Sequence, residues 1–259
     1  MNLAATARRT LPTLAVAAPT ATTLQADEAA RIRATLARVD IFRDLPREAI
    51  EDLSRRVRLR RVLGGAPVFQ QDDAGDALYI ILAGRVKIVM TGGRGREVTL
   101  AVLRPTEIFG ELALFDGSAR SAAAVAIDPT TVLALTQSDL TGHLTAHPRT
   151  AMRLLGELSR RLRRANEAIA ELALLDVHER LVRRLVKLAR DDAEERPDGF
   201  VIRRKPTQSD LASMVGACRE TVSRAVNQLV RRGLLENRGR SMVVKHEVFR
   251  MASASSLPL

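Results

Sequence analysis

Between Leu155 and Leu172 the apolar residues Leu155, Leu158, Leu162, Ala165, Ile169 and Leu172 follow one another at spacings of three and four. That rhythm puts all six on one stripe of a single long helix, expected from about Thr150 to Leu175. The stripe is narrow, and Arg160, Arg161, Arg163 and Arg164 lie mostly off it. Packing within its own chain is one reading. A coiled-coil dimer fits the narrow stripe and the surrounding charge better.

Ahead of that helix the pattern changes. Residues 28–60 read as helical around Ile32, Leu36, Ile41, Leu45, Ile50 and Leu53. From Val62 onward come short apolar runs: Val68-Phe69, Ala77 to Leu82, Val86 to Met90, Val98 to Leu103, Ala122 to Ile127 and Thr131 to Leu135. Gly, Asp and Pro separate them, as in a β-sandwich or barrel. Thr91 to Arg96 reads as an exposed hairpin loop. Residues 1–27 are rich in Ala and Thr, with Arg8 and Arg9 before a short apolar stretch, Leu11 to Ala18. This faintly resembles a signal peptide, but Pro12 and Pro19 interrupt it, and a disordered extension is expected.

After the long helix, Val177 to Arg190 reads as an amphipathic helix and Asp191 to Gly199 as a polar loop. Next come a strand (Phe200 to Arg203), helices (Ser209 to Met214 and Glu220 to Arg232) and a strand pair (Leu234 to Glu236, Met242 to Lys245). From Met251 the chain reads as a loose tail.

The 259 residues carry 41 Lys and Arg against 30 Asp and Glu, a net charge of +11. Such an excess favours a polyanionic partner, nucleic acid or anionic lipid. Aromatics make up 3%, with no Trp, which disfavours single-strand stacking platforms against duplex DNA. The one Cys, Cys218, excludes an intramolecular disulfide and a Cys-ligated cluster, and a reducing cytoplasm is the natural compartment. No apolar run approaches the roughly 18 residues of a membrane span; a basic membrane-surface protein is a third reading, but the Arg residues cluster around a fold and not along a lipid-facing helix, so no membrane partner is expected. His143 and His147 are four apart, but nothing nearby adds a third ligand, so they read as surface histidines and no metal is expected. Without a nucleophile–base constellation no catalysis is expected either.

The segment FGELALFDGSARSA, Phe109 to Ala122, concentrates unusual chemistry. Gly110 lets backbone N–H groups approach an anion. Glu111 accepts from a hydroxyl, Arg120 offers a planar fork of donors to a phosphate, and Ser121 adds a hydroxyl. This set suits a sugar phosphate. On the residues alone, a surface turn closed by a Glu111–Arg120 ion pair is equally open.

That segment closely resembles the phosphate-binding cassette of cyclic-nucleotide-binding domains. GDALYIILAGRVKI (Gly75 to Ile88) resembles their strand–Gly–strand signature, and IFRDLP (Ile41 to Pro46) their entry helix and turn. TQSDLASMVGACRETVSRAVNQLVRRGLL (Thr207 to Leu235) has helix-turn-helix form, with Thr207 at an N-cap position and Gly216 in the turn. Leu211, Met214, Val215, Val222, Val226 and Leu229 would make its interior. From about residue 28 to 250 the chain therefore resembles the cyclic-AMP receptor protein / fumarate-nitrate regulator family of bacterial transcription factors.

The resemblance implies an α+β architecture: an N-terminal β jelly-roll sensor (28–149), a dimerisation helix (150–176), a C-terminal winged helix-turn-helix (177–250) and a tail (251–259). It implies that Glu111 takes a ribose hydroxyl and that Arg120 and Ser121 take the cyclic phosphate. Backbone at Gly110, Leu112 and Ala113 would assist. In the family, neighbouring Thr and Ser on the long helix contact adenine; here those positions are Ala165 and Asn166, and the Asn166 amide can meet a purine edge. A second departure is Gln71-Asp72-Asp73, where the family usually has Gly before the Asp; Asp tolerates the left-handed turn. The implied effector is cAMP or cGMP, and the implied partners are double-stranded DNA, a second copy of the chain and RNA polymerase. Arg219, Glu220, Thr221 and Arg224 match members that read TGTGA-like half-sites, with Thr207, Gln208 and Ser223 beside them. Arg203, Arg204, Lys205, Arg231, Arg232, Arg238 and Arg240 surround that helix and can serve phosphates. The expected function is a ligand-gated, sequence-specific transcriptional regulator. The alternatives are a regulator with a vestigial or different pocket and a cyclic-nucleotide-controlled interaction module.

Overall fold

The computed structural model describes residues 21–253; the proposed extension before residue 21 and the last residues of the tail lie outside that range. Helices α1 (Ala21–Leu36) and α2 (Arg47–Arg56) flank a 3-10 turn at Asp40–Phe42. Eight strands follow: β1 (Arg58–Val62), β2 (Pro67–Phe69), β3 (Ala77–Ala83), β4 (Val86–Thr91), β5 (Glu97–Leu103), β6 (Ile108–Phe109), β7 (Ala123–Ala126) and β8 (Thr130–Thr136). The short helix α3 (Leu112–Asp116) links β6 to β7.

The strands form two antiparallel sheets, ordered β1-β8-β3-β6 and β2-β7-β4-β5. β3 shows why they stack. Its side chains alternate between faces, and both faces are buried. Tyr79 and Ile81 pack with Val68, Val86, Phe109 and Val132 between the sheets. Leu78 and Ile80 pack outward against Leu36, Phe42, Leu53 and Leu154. β4 and β5 pair from Val86↔Leu103 to Thr91↔Glu97 around the tight turn at Gly93–Gly95, the expected exposed hairpin.

Helix α4 (Gln137–Ala146), capped by Thr136, hands over to the 27-residue α5 (Pro148–Leu174), with Pro148 in its first turn. Asp176 and Glu179 form a capping box that starts α6 (Val177–Asp192). The C-terminal part adds β9 (Ala193–Arg196), β10 (Gly199–Ile202), α7 (Gln208–Val215), α8 (Arg219–Arg231), β11 (Leu235–Arg238), β12 (Ser241–Val244) and α9 (His246–Ser253). Its sheet runs β11-β12-β10-β9. Leu181, Leu185, Leu211, Val222, Leu229 and Val248 fill its core. The fold class expected from sequence is the observed one.

Several local expectations need correction. Helix begins at Ala21, inside the stretch expected to be disordered through residue 27; Ala-rich sequence is a good helix former. The region 28–60 is not helical throughout, because Arg58–Val62 is β1, paired with β8. Its three arginines mask the strand pattern. The polar loop 191–199 contains β9, an edge strand whose charged side chains face solvent. The tail expected from Met251 is the end of α9, with Ala252 buried in the core. His143 is buried, stacked edge-on against Phe42 at 5.5 Å, and is not a surface residue.

The two halves touch away from α5. Thr99 on β5 and Ser213 on α7 share a 2.9 Å hydroxyl hydrogen bond. At the end of α5, Arg180 donates from Nε to the Val215 carbonyl at 2.9 Å and from Nη1 to the Leu175 carbonyl at 2.6 Å. One guanidinium thus ties the helix-turn-helix to the end of the long helix.

Candidate functional site

The residues expected to hold a ligand in the N-terminal half meet where β6 runs into α3. Gly110 sits at φ 80°, and a Cβ there would fall 2.8 Å from Arg120 Nη1. Only glycine therefore gives both the left-handed turn and the close approach. Arg120 is held from its backbone: its N–H donates to the Asp73 carbonyl at 2.8 Å, and its own carbonyl accepts from Asp72 N–H at 2.9 Å. Asp72 adopts φ 68°, so the turn survives without the glycine usual at that point. Asp73 steadies it by accepting from Gln70 N–H at 2.7 Å.

The Arg120 side chain is buried. Nη2 donates to the Ala77 carbonyl at 2.8 Å and Nη1 to the Gly110 carbonyl. The guanidinium lies 4.3 Å over the Phe69 ring, a cation–π contact that steadies the charge. Its Nε has no partner and is fully enclosed.

Glu111 is 2% exposed. The ion pair it makes is not the one read from the local sequence. Arg161, on α5, donates from Nη1 to Glu111 Oε1 at 2.9 Å, from Nη2 to the Ile108 carbonyl at 2.6 Å, and from Nε to Glu157 Oε1 at 2.9 Å. Burial pushes the Glu157 carboxyl up, but the Arg161 hydrogen bond and charge, with Arg160 and Arg164, outweigh it and hold it low. Glu111 Oε2 is buried without a partner. Nothing in the sequence near Glu111 marks Arg161, which lies 50 residues away among four arginines.

Around that centre, Ala113 is buried, while Leu112 and Ser121 are exposed beside it. Ala165 and Asn166 are exposed on α5, within the turn after Arg161. Among the described residues Asn166 forms no side-chain hydrogen bond with Glu111 or Arg120. The stripe expected to pair with a second helix is open: Leu155, Leu162, Ile169 and Leu172 are exposed, as are Met152 and Leu174.

In the C-terminal half, Thr207 accepts from Asp210 N–H at 3.1 Å, and the Asp210 carboxylate accepts from Thr207 N–H at 2.9 Å. This capping box starts α7, with Gln208 half-buried in the first turn. α7 ends at Gly216, φ 66°, where a Cβ would fall 3.0 Å from Leu172 of the long helix. α8 buries Val222, Val226 and Leu229. Met214 is only half-buried. The other face of α8 presents Arg219, Glu220 and Arg224, all exposed, with Thr221 and Ser223 half-buried between them. Arg224 Nη2 donates to Thr221 Oγ1 at 3.3 Å, and Cys218 Sγ lies 3.0 Å from the same hydroxyl. The Glu220 carboxyl is held below the usual range by its own backbone N–H, then by the Cys218 thiol and the charges of Arg219 and Arg224. It is therefore an anion at neutral pH, able to accept from a base amino group.

Among the described residues no three His, Cys, Asp or Glu side chains gather as a metal site. No described helix is long and apolar enough to cross a membrane.

A β-roll with a buried carboxylate and guanidinium, joined by a long helix to a winged helix-turn-helix, is the layout of a two-part DNA-binding regulator. Comparison with known proteins narrows the class. The family model for the cyclic nucleotide-binding domain matches residues 59–147, and that for the Crp-like helix-turn-helix domain matches residues 179–248. A CRP-like cAMP-activated global transcriptional regulator of Mycobacterium tuberculosis is 33% identical over 81% of this chain and 93% of its own length. The cyclic AMP receptor protein of Thermus thermophilus is 35% identical over 75% of this chain and 87% of its own. Among solved structures, the c-di-GMP responsive global regulator CLP of Xanthomonas campestris superposes with a TM-score of 0.70 at 26% identity, covering 77% of this chain and 99% of that one. The chain belongs to the CRP/FNR family of transcriptional regulators. It is a DNA-binding regulator and not an enzyme.

Proposed function

We propose that this regulator is gated by a cyclic nucleotide, cAMP or cGMP. The observation that carries the reading is the pair of enclosed, unpartnered polar atoms, Glu111 Oε2 and Arg120 Nε. A buried acceptor and a buried donor without partners are costly unless a ligand completes them. A ribose hydroxyl supplies the donor and a cyclic phosphate supplies the acceptor. Gly110, Leu112 and Ala113 line the same turn with backbone, and Ser121 flanks it. Relatives described as cAMP-activated support the reading.

Two copies would cover the exposed stripe of α5, bringing Asn166 of each to the other's pocket. Arg219, Glu220, Thr221 and Arg224 would then read base edges in successive major grooves, with Thr207, Gln208 and Ser223 alongside. RNA polymerase would be the downstream partner of the bound dimer. A second reading follows from Ala165: without the family's hydroxyl there, the base is not fixed, and a larger nucleotide such as the one named for the Xanthomonas neighbour is the competitor.

Calorimetry with cAMP, cGMP and c-di-GMP decides among these. Saturable binding of a cyclic mononucleotide is expected. Binding of c-di-GMP alone, or of none at millimolar concentration, would refute the proposal.

A further inference from the structure

The guanidinium that holds Glu111 is itself held on two other sides. Arg161 commits Nη2 to the Ile108 carbonyl at 2.6 Å and Nε to Glu157 Oε1 at 2.9 Å. That leaves Nη1 turned to Glu111, which it meets at 2.9 Å on Oε1. An arginine beside a carboxylate commonly closes a two-pronged pair that takes both oxygens. Here the pair is single-pronged, and Glu111 Oε2 stays buried without a partner.

Glu157 is the side chain that keeps it so. It lies four residues before Arg161 on α5, and its side chain is 18% exposed. Three arginines fix it. Arg161 and Arg164 donate to Oε1 at 2.9 and 3.1 Å, and Arg160 donates from Nε to Oε2 at 3.0 Å. Arg160 reaches on to Asp40, at 2.9 Å, in the 3-10 turn ahead of α2. A carboxylate pinned in this way holds the Arg161 Nε–H on the helix side, away from Glu111. Without that anchor the fork is free to rotate onto Glu111 and occupy both of its oxygens. A ribose hydroxyl would then find no acceptor, while the phosphate of the same nucleotide would still meet Arg120.

We infer that Glu157 is a positioning residue for the ribose. By holding Arg161 Nε it reserves Glu111 Oε2 for a hydroxyl, and so sets the preference for a ribonucleotide over its 2′-deoxy analogue. In a 3′,5′-cyclic nucleotide the 2′-hydroxyl is the one free hydroxyl of the sugar. The inference rests on the cyclic-nucleotide reading of the Glu111–Arg120 turn, and adds a residue of the long helix that acts on the ligand through Arg161 and Glu111.

Calorimetry on the full-length protein compares cAMP and cGMP with their 2′-deoxy analogues, so that one hydroxyl is the only variable in each pair. Wild type should bind the ribonucleotide at least about tenfold more tightly, as for a buried hydrogen bond to a carboxylate. Glu157→Leu removes the acceptor; it should bring the ratio to about one and leave affinity for the 2′-deoxy nucleotide within about threefold of wild type. Glu157→Gln keeps the size and an oxygen but not the charge, and should lower the ratio at least about threefold. It is the deciding variant if Glu157→Leu does not fold. A wild-type ratio in Glu157→Gln would overturn the inference. So would an equal loss for both nucleotides of a pair in either variant, the mark of a merely structural role. A ratio near one in wild type would overturn it as well, because Glu111 would then not take the hydroxyl, although nucleotide binding would stand. Wild-type binding of none of the four would refute the cyclic-nucleotide reading and this inference with it.

Discussion

Arg161 donates to Glu111 at 2.9 Å across the gap between the long helix and the sensor turn, and the same guanidinium holds Glu157 on its own helix. The Glu111 side chain is 3% exposed, against 26% for Arg161. Removing the arginine leaves a buried carboxylate without its partner, a far costlier state than losing a surface pair. Arg161→Met should lower stability by about 2–3 kcal/mol in urea titrations. Glu111→Gln on that background should recover part of the loss, with a coupling of at least about 1 kcal/mol. Additive effects would show that the pair is not coupled.

Arg120→Ala should weaken cyclic-nucleotide binding about 100-fold, the loss expected for a charge-assisted phosphate contact. Calorimetry measures it. Because Arg120 also packs over Phe69 and ties two carbonyls, Arg120→Lys provides the check on folding. It keeps a charge without the fork, and should bind more weakly than wild type at an unchanged oligomeric state.

Leu162→Asp should break the dimer. It would set two carboxylates in an apolar seam, a cost of several kcal/mol by the usual penalty for buried unpaired charge. Light scattering at micromolar concentration should give a dimer for wild type and a monomer for the variant. A wild-type monomer would contradict the role given to the open stripe on α5.

Acid should destabilise the protein through His143. Burial, then the neighbouring charge of His147, with Arg56 adding and Asp52 opposing, hold its pKa down to about 4. The folded state keeps this imidazole neutral while the unfolded chain takes up a proton below about 6.5. Its stabilising contribution is therefore whole above pH 6.5 and is lost as pH falls towards 4. Melting temperature should drop between pH 7 and pH 5, and His143→Phe should flatten that slope.

Glu220→Ala should relax base preference at one position of the half-site by about 1–3 kcal/mol without a general loss of affinity. It removes a negative charge near phosphates, so non-specific affinity should hold or rise. Selection from a random DNA pool reads this out. An unchanged motif would show that Glu220 does not read a base.

The strands with apolar runs, the long helix and the helix-turn-helix were all legible in the sequence, because each carries its own period. β1 and β9 were not, because their arginines and glutamates hide any alternation and each lies at a sheet edge. α9 was hidden by position: Ala252 lies near the chain end, and only tertiary packing shows it buried. At the site, Gly110, Glu111 and Arg120 are adjacent enough to form a motif. The Glu111–Arg120 ion pair read from them does not form, because Arg120 turns inward to the Gly110 and Ala77 carbonyls and Glu111 takes its partner from α5. A partner that arrives through folding leaves no local signal.

Fluorescence anisotropy on a labelled inverted repeat of TGTGA-like half-sites tests most directly whether a cyclic nucleotide controls DNA binding. cAMP or cGMP should tighten wild-type binding at least about tenfold, equivalent to ~1.4 kcal/mol of coupling, and should leave Arg120→Ala unchanged. Equal wild-type affinity with and without either nucleotide, at concentrations that saturate the sensor, would contradict the account.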